Sequence, residues 1–461
     1  RAAVTTGLGG DANQKVTITP DRFTKVYLNW IDHLRDWCIS RQIWWGHRIP
    51  VWYRDEETMV SVEPPAGDGW QQDEDTLDTW FSSGLWTFST LGWPQATADL
   101  KNFHPTAWMQ MGYELVFFWM ARMILMSSYG LKQVPFKDVY IHGLVRDEHG
   151  RKFSKSLGNG RDPLELIEQY GTDALRLCLL TGITSGNDSR FYEEKIAGTR
   201  NFVNKLWNVA RFMLTAIPAP DRTAPRPKPA TLADAWILAR LDQTTADVTR
   251  LLDQFDFSAA TEALRHFTWT ELADWYLEVA KVEGDKGPIL NYLFNTILSL
   301  WHPFLPFVTE AIWREMYGAE RLLMTTSWPA SAGPTDAAAE FVIVQEVVSA
   351  IRNLRAEHHI APAQKLPVVL VGSTVVLTEQ TAVIAALTRA ESVTVSDQPP
   401  TATALTAVAS GIEIFVITAA VDSTKEKTRL TKEITELATY IQKLEAKLAN
   451  PEFTDRAPAV V

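Results

Sequence analysis

Cysteine is scarce: Cys38 and Cys178 are the two in 461 residues. They lie far apart and form no Cys-x-x-Cys pair, which excludes a disulfide framework and points away from a structural zinc site. A reducing, cytoplasmic setting is expected. Long apolar runs are missing too: no stretch approaches about 18 consecutive apolar residues, and no secretory leader is recognisable, so neither membrane insertion nor export is expected. Positive charge is in deficit, with 44 Lys and Arg against 55 Asp and Glu for a net −11, which excludes indiscriminate polyanion binding. A nucleic-acid partner would have to be met locally. Lys195, Arg200, Lys205 and Arg211, with no acidic residue between the first and the last, supply such a surface.

What is present is the makeup of a soluble multidomain protein, 46% hydrophobic and 21% charged, in a chain too long for one core. The most informative stretch runs from His142 to Asn159 and contains Lys152-Phe153-Ser154-Lys155-Ser156, bounded by Gly150 and Gly158. Two ammonium groups alternating with two small hydroxyls on a mobile loop can converge on polyphosphate oxygens. Ala107–Met111 and Asp138–Val145 read as strands, with helices expected over 113–127 and 163–180. This is the rhythm of a doubly wound parallel sheet, and the lysine loop follows the carboxyl end of its second strand, where such sheets bind ligands. The strand-end Gly143 would let a planar base approach the backbone.

Helical periodicity dominates from Tyr192 to Tyr317, as in Phe202, Leu206, Val209 and Met213, and predicts a helical bundle. Val-rich runs at 366–371 and 412–417 suit a small α/β unit. Leu430, Ile434, Leu437, Ile441, Leu444 and Leu448 are spaced as a coiled-coil seam. The expected divisions are 1–26, a small, polar, Gly-rich connector; 27–191, the sheet; 192–330, the bundle; 331–420, the small α/β unit; and 421–461, the start of the coiled coil. Arg1 and the abrupt stop at Val461 suggest truncation at both ends.

The lysine loop resembles the second signature, Lys-Met-Ser-Lys-Ser, of the class I aminoacyl-tRNA synthetases. Arg35–Gln42, Trp44–Pro50, Asp75–Trp86, Phe117–Met123, Asn201–Asn208, Trp301–Glu310 and Ile351–Arg355 also look like that family, in its order and over nearly the whole chain. They are most similar to its valine-activating branch. Isoleucine-specific members usually read Tyr-Trp-Gly and Trp-Phe-Asp-Ser-Gly where this sequence has Trp44-Trp45-Gly46 and Trp80-Phe81-Ser82-Ser83-Gly84. The resemblance implies the second half of a Rossmann-like catalytic sheet, an anticodon-binding bundle and a tRNA-gripping arm. It also implies activation of valine by ATP, accompanied by magnesium, and transfer of the valyl group to tRNA(Val) by a monomer.

Carried over residue by residue, Lys152 and Lys155 would be the catalytic cations. Ser154 and Ser156 would donate to the triphosphate, and His142, Gly143 and Glu114 would meet the rest of the nucleotide. Trp45 and Trp80 would line the amino-acid pocket, and Lys195, Arg200, Lys205 and Arg211 would face tRNA phosphates. Glu114 stands where the family usually has Asp, and Phe153 where it has Met. Some members carry a zinc knuckle between the Trp-Trp-Gly-His and Asp-Thr-Trp-Phe blocks; 51–75 holds no Cys or His, so zinc there is excluded. The family's first signature, His-Ile-Gly-His or a relative, and its editing domain are not found in the sequence, so this chain alone is expected to be inactive. The alternatives are an isoleucine-activating member of the family and a tRNA-binding module without catalysis.

Overall fold

The computed structural model describes residues 1–333, 339–372, 375–418 and 423–448. Two compact units emerge: Arg1–Trp207 with Asp247–Leu264 and Trp301–Ala311, and Asn208–Ala246 with Arg265–Leu300 and the chain from Ile312 onward.

The first unit is organised by three parallel strands. Phe136–His142 lies between Thr17–Thr19 and Thr106–Gly112, in the register Thr17 opposite Asp138 and Gly112 opposite His142. Val139 and Ile141 are wholly buried there, beside Met109, Met111, Met120 and Ile124. Sealing each such aliphatic side chain contributes about 1.5–3 kcal/mol. The connection between the last two strands runs through a 3₁₀ turn at Tyr113–Leu115, a wide π-type turn at Val116–Met120 and the helix Ala121–Gly130. The expected helix over 113–127 is thus broken into three stretches.

Residues 1–26 are corrected by the structure. Far from being a bare connector, they supply the edge strand Thr17–Thr19 and bury Ala3, Val4, Val16 and Ile18 in the core of the sheet. The cause is the short alternation Val16-Thr17-Ile18, which turns two β-branched apolar side chains to one face. The strand expected over 138–145 ends at His142, and Val145–Arg146 pairs separately and in parallel with Ser189–Arg190. The helix expected over 163–180 is two helices, Pro163–Tyr170 and Thr172–Cys178, parted at Gly171 with φ +90°, a backbone that L side chains rarely adopt.

In the second unit Trp236, Leu238, Leu241, Leu272, Tyr276 and Val279 are all buried. Its small sheet has the order Val393–Ser396, Val368–Val371, Ile412–Ile417, Ala404–Ala409, with only the first pair parallel. The helix Ser423–Leu448 carries Ile434, Leu437, Ile441 and Leu444 exposed on its surface. The side chains of Leu430 and Leu448, the ends of the expected seam, lie outside the described residues.

Candidate nucleotide and amino-acid site

Because the strands are parallel, their carboxyl ends converge. Gly112 pairs with His142, which brings Tyr113-Glu114 and Gly143 to one edge. Glu114 folds its carboxylate back over Gly112, where a Cβ would overlap it. Its Oε2 is buried and has no hydrogen-bond partner among the described residues. An orphaned carboxylate oxygen at this edge is suited to accept from a ligand hydroxyl. His142 Nδ1 lies 2.7 Å from the Gly143 carbonyl, to which a ring N–H at that position donates. Gly143 itself is crowded: a Cβ would overlap the backbone of Asn187. The close approach expected there is made by this protein's own chain.

That neighbouring chain is fixed by Asp188. Its carboxylate accepts from Leu144 N–H at 2.8 Å, pairs with the Arg146 guanidinium and receives the Tyr113 hydroxyl at 3.4 Å. Burial pushes the Asp188 carboxyl up, but Leu144 and Arg146 prevail and it sits below the usual carboxylate range.

The lysine loop leaves this scaffold at Arg146, which bridges Lys152 in antiparallel fashion. Lys152 is exposed and, among the described residues, makes no ion pair. Phe153 sets its ring edge-on to Phe191 at 6.5 Å, so the apolar residue of the signature anchors the loop inward. Ser154 Oγ lies 2.7 Å from Ser156 Oγ. The backbone of Lys155 begins a short 3₁₀ turn to Leu157; its side chain lies outside the described residues. A cavity of about 340 Å³ lies beside the loop, lined among others by Asp147, Phe153, Asn159 and Phe191.

The expected amino-acid pocket is not closed. Trp45 is 89% exposed, whereas Trp80 is half-buried and stacked on Phe118 at 5.6 Å. Among the described residues no ring contact joins the two tryptophans. What is built firmly is the support below them. Asp78, 5% exposed, accepts from Trp80 N–H and Trp37 Nε1–H at 3.0 Å each and pairs with Arg41. The Arg122 guanidinium lies 4.1 Å from the Trp37 ring centre, a cation–π contact. A larger cavity of about 860 Å³ is lined by Trp30, Trp37, Arg41, Phe81 and Arg122, among others. Asp78, Arg122, Asp147, Asn159 and Asp188 were not singled out from sequence. The cap signal Asp-Thr-Trp at a helix start was there to be read for Asp78.

The basic residues ride on the helix Glu193–Ala216. At about 100° per residue, Lys195, Arg200 and Lys205 are roughly 140° apart in turn, so they encircle the helix instead of forming a stripe. Arg200 lies over the Tyr170 ring at 5.6 Å, and Arg211 is exposed. Among the described residues no three His, Cys, Asp or Glu side chains gather as a metal-holding group, and no helix is long and apolar enough to cross a membrane.

Residues 9–68 and 60–191 match the family described as tRNA synthetases class I (I, L, M and V), and 234–370 match the anticodon-binding domain of tRNA ligase. The chain belongs to the class I aminoacyl-tRNA synthetases. Residues 422–461 match the valyl tRNA synthetase tRNA binding arm. Valine–tRNA ligases of Carboxydothermus hydrogenoformans, Dehalococcoides mccartyi and Bacillus subtilis are 45%, 42% and 40% identical to it, in each case over 97% of this chain and 54% of the relative. The chain spans about half the length of the curated relatives it matches. Two solved structures share the fold. The LeuRS–tRNA–LeuAMS ternary complex of Agrobacterium radiobacter K84 has a TM-score of 0.58 at 20% identity, over 67% of this chain and 45% of that one. The Mycobacterium tuberculosis methionyl-tRNA synthetase with methionyl-adenylate has 0.52 at 21%, over 70% and 64%.

Proposed function

We propose that this chain is part of a valine–tRNA ligase of the cytoplasm, acting as a monomer, in which valine is activated by ATP and passed to tRNA(Val). The observation that carries the reading is the shared carboxyl edge: Glu114, His142 and Gly143 stand together, and the lysine–serine loop springs from the strand that follows. Here the Glu114 oxygen without a partner among the described residues would accept from the ribose, and His142 would border the base. The Lys152 and Lys155 ammonium groups would neutralise charge as the valine carboxylate bonds to the α-phosphorus and pyrophosphate leaves. Ser154 and Ser156 would donate to the same phosphates. Magnesium, arriving with the nucleotide, would add positive charge to the phosphate oxygens. Trp80, with Trp45 swung onto it, would give valine a flat slot. Arg200, Arg211, Lys195 and Lys205 would meet tRNA phosphates. The divisions 27–191, 192–330, 331–420 and 421–461 would then be the later part of the catalytic domain, the anticodon-binding bundle, a small α/β segment and the start of the arm.

The test is pyrophosphate exchange by the full-length protein. Exchange with valine is expected, and Lys155→Ala should slow it far more than it raises the KM for valine. Strong exchange with isoleucine and none with valine would overturn the assignment.

A further inference from the structure

Asn159 lies outside the lysine–serine cluster, yet its side chain closes the loop that carries it. Its Oδ1 accepts from Ser154 N–H at 2.9 Å, and its Nδ2 donates to the Lys152 carbonyl at 3.2 Å and to Asp147 Oδ2 at 3.0 Å. Every donor and the carbonyl oxygen of one amide are thus employed. Asp147, 7% exposed, is equally occupied: its Oδ1 accepts from Arg151 N–H at 2.7 Å and His149 N–H at 3.1 Å, and its Oδ2 from Arg151 Nε–H at 2.8 Å. Asp147 N–H donates to the Arg151 carbonyl at 2.9 Å. Two turns are therefore pinned by one amide–carboxylate pair: 147–151, which delivers Lys152, and 154–159, which carries Ser154, Lys155 and Ser156. Neither residue has a charge or hydroxyl that the phosphate chemistry calls for, and both are turned toward the loop's own backbone.

We propose that Asn159 and Asp147 are positioning residues, a clasp that fixes the backbone of Lys152–Ser156 so that its cations act on the departing pyrophosphate. The inference rests on the nucleotide reading of the loop given above. Because the clasp holds the loop and not the amino acid, its loss acts on the rate of activation and not on valine binding. Asn159→Asp removes both donors and sets a second carboxylate against Asp147. The double change Asp147→Asn/Asn159→Asp again faces one donor with one acceptor and leaves Ser154 N–H its acceptor, while the Lys152 carbonyl loses its donor and Arg151 Nε–H its acceptor.

The experiment uses the full-length protein and two readouts, pyrophosphate exchange with valine and hydrogen exchange at the Ser154 amide. Asn159→Ala and Asn159→Asp are expected to lower kcat about tenfold to a hundredfold, the scale of a misplacement of about 1 Å, with the KM for valine within about twofold. Ser154 should lose protection with only a small drop in the unfolding midpoint, and the double variant should regain part of the kcat lost in Asn159→Asp. Wild-type kcat in both single variants would overturn the inference. So would parallel losses in kcat, KM and midpoint without rescue, which would mark a purely structural contact. If the wild-type protein shows no exchange with valine, the functional reading fails instead; the Ser154 amide still decides, since unchanged protection in Asn159→Ala would overturn the clasp.

Discussion

Lys286 donates from Nζ to Asp234 Oδ1 at 2.8 Å with both side chains sealed from solvent, 5% and 1% exposed. Glu283 pairs with the same ammonium at 2.7 Å, and the Tyr276 hydroxyl donates to the same Asp234 oxygen at 2.7 Å. Burial pushes the Asp234 carboxyl up, but Lys286 and Tyr276 prevail and hold it below its ordinary value. Its contribution is therefore present above the usual carboxylate range and lost as pH falls below it. Lys286→Met leaves two carboxylates without their cation and should cost about 3–5 kcal/mol in urea unfolding of this chain. The double variant Lys286→Met/Asp234→Leu should recover part of that loss; a single variant as stable as wild type would show that the pair contributes nothing.

Asp78 combines a helix cap with two further duties, so its variants should separate them. Asp78→Ala forfeits the cap on Thr79–Ser89, about 1 kcal/mol. It also strands Trp37 Nε1 and Arg41, for a total of about 2–4 kcal/mol. Asp78→Asn keeps an oxygen for Trp80 N–H and should cost about half as much. Thermal unfolding followed at the tryptophans would read both, and equal losses would mean that the cap contributes nothing.

How much of this could be read beforehand depended on the range of the interaction. The strands ending at Gly112 and His142 were legible because their buried residues alternate, Met109 with Met111 and Val139 with Ile141. The lysine loop stood out because its chemistry is contiguous. The edge strand Thr17–Thr19 was hidden because three residues in a Gly-rich setting carry too little periodicity, and only pairing with Asp138–Tyr140 reveals them. The Asn159 clasp was hidden for another reason: an amide that satisfies a backbone five residues earlier leaves no period at all. Trp45 shows the opposite error, since an indole announces apolar surface in a sequence without saying what covers it. The five-residue spacing of Lys195, Arg200 and Lys205 was available as arithmetic and already spreads them around the helix.

The two cysteines should behave as different reagents. Cys38 is exposed, and the Ser40 hydroxyl 3.4 Å from its sulfur helps lower its thiol below the ordinary value. Cys178 is buried, and burial raises its thiol. Titration of the native chain with a thiol-reactive disulfide at neutral pH should therefore release one equivalent quickly, abolished by Cys38→Ser, and the second only on unfolding. Two fast equivalents in the native chain would contradict the buried placement of Cys178.

Acid should open the lysine loop by a route that one residue controls. The Asn159 amide, with the Arg151 N–H and guanidinium, overcomes burial and pushes the Asp147 carboxyl down to about 2. A carboxyl lowered in the folded state contributes above its unfolded value, 3.8, and that contribution drains away as pH falls from there toward about 2. The guanidinium that faces it is that of Arg151, at 2.8 Å, and His149 is presented through its backbone N–H. The stability gap between the wild-type chain and Asp147→Asn should therefore be constant from about pH 7 down to about 5 and close as pH falls from about 4 to 2. Chemical denaturation across that range would measure it, and a gap that widened with acid would mean that the carboxylate is not the form the loop prefers.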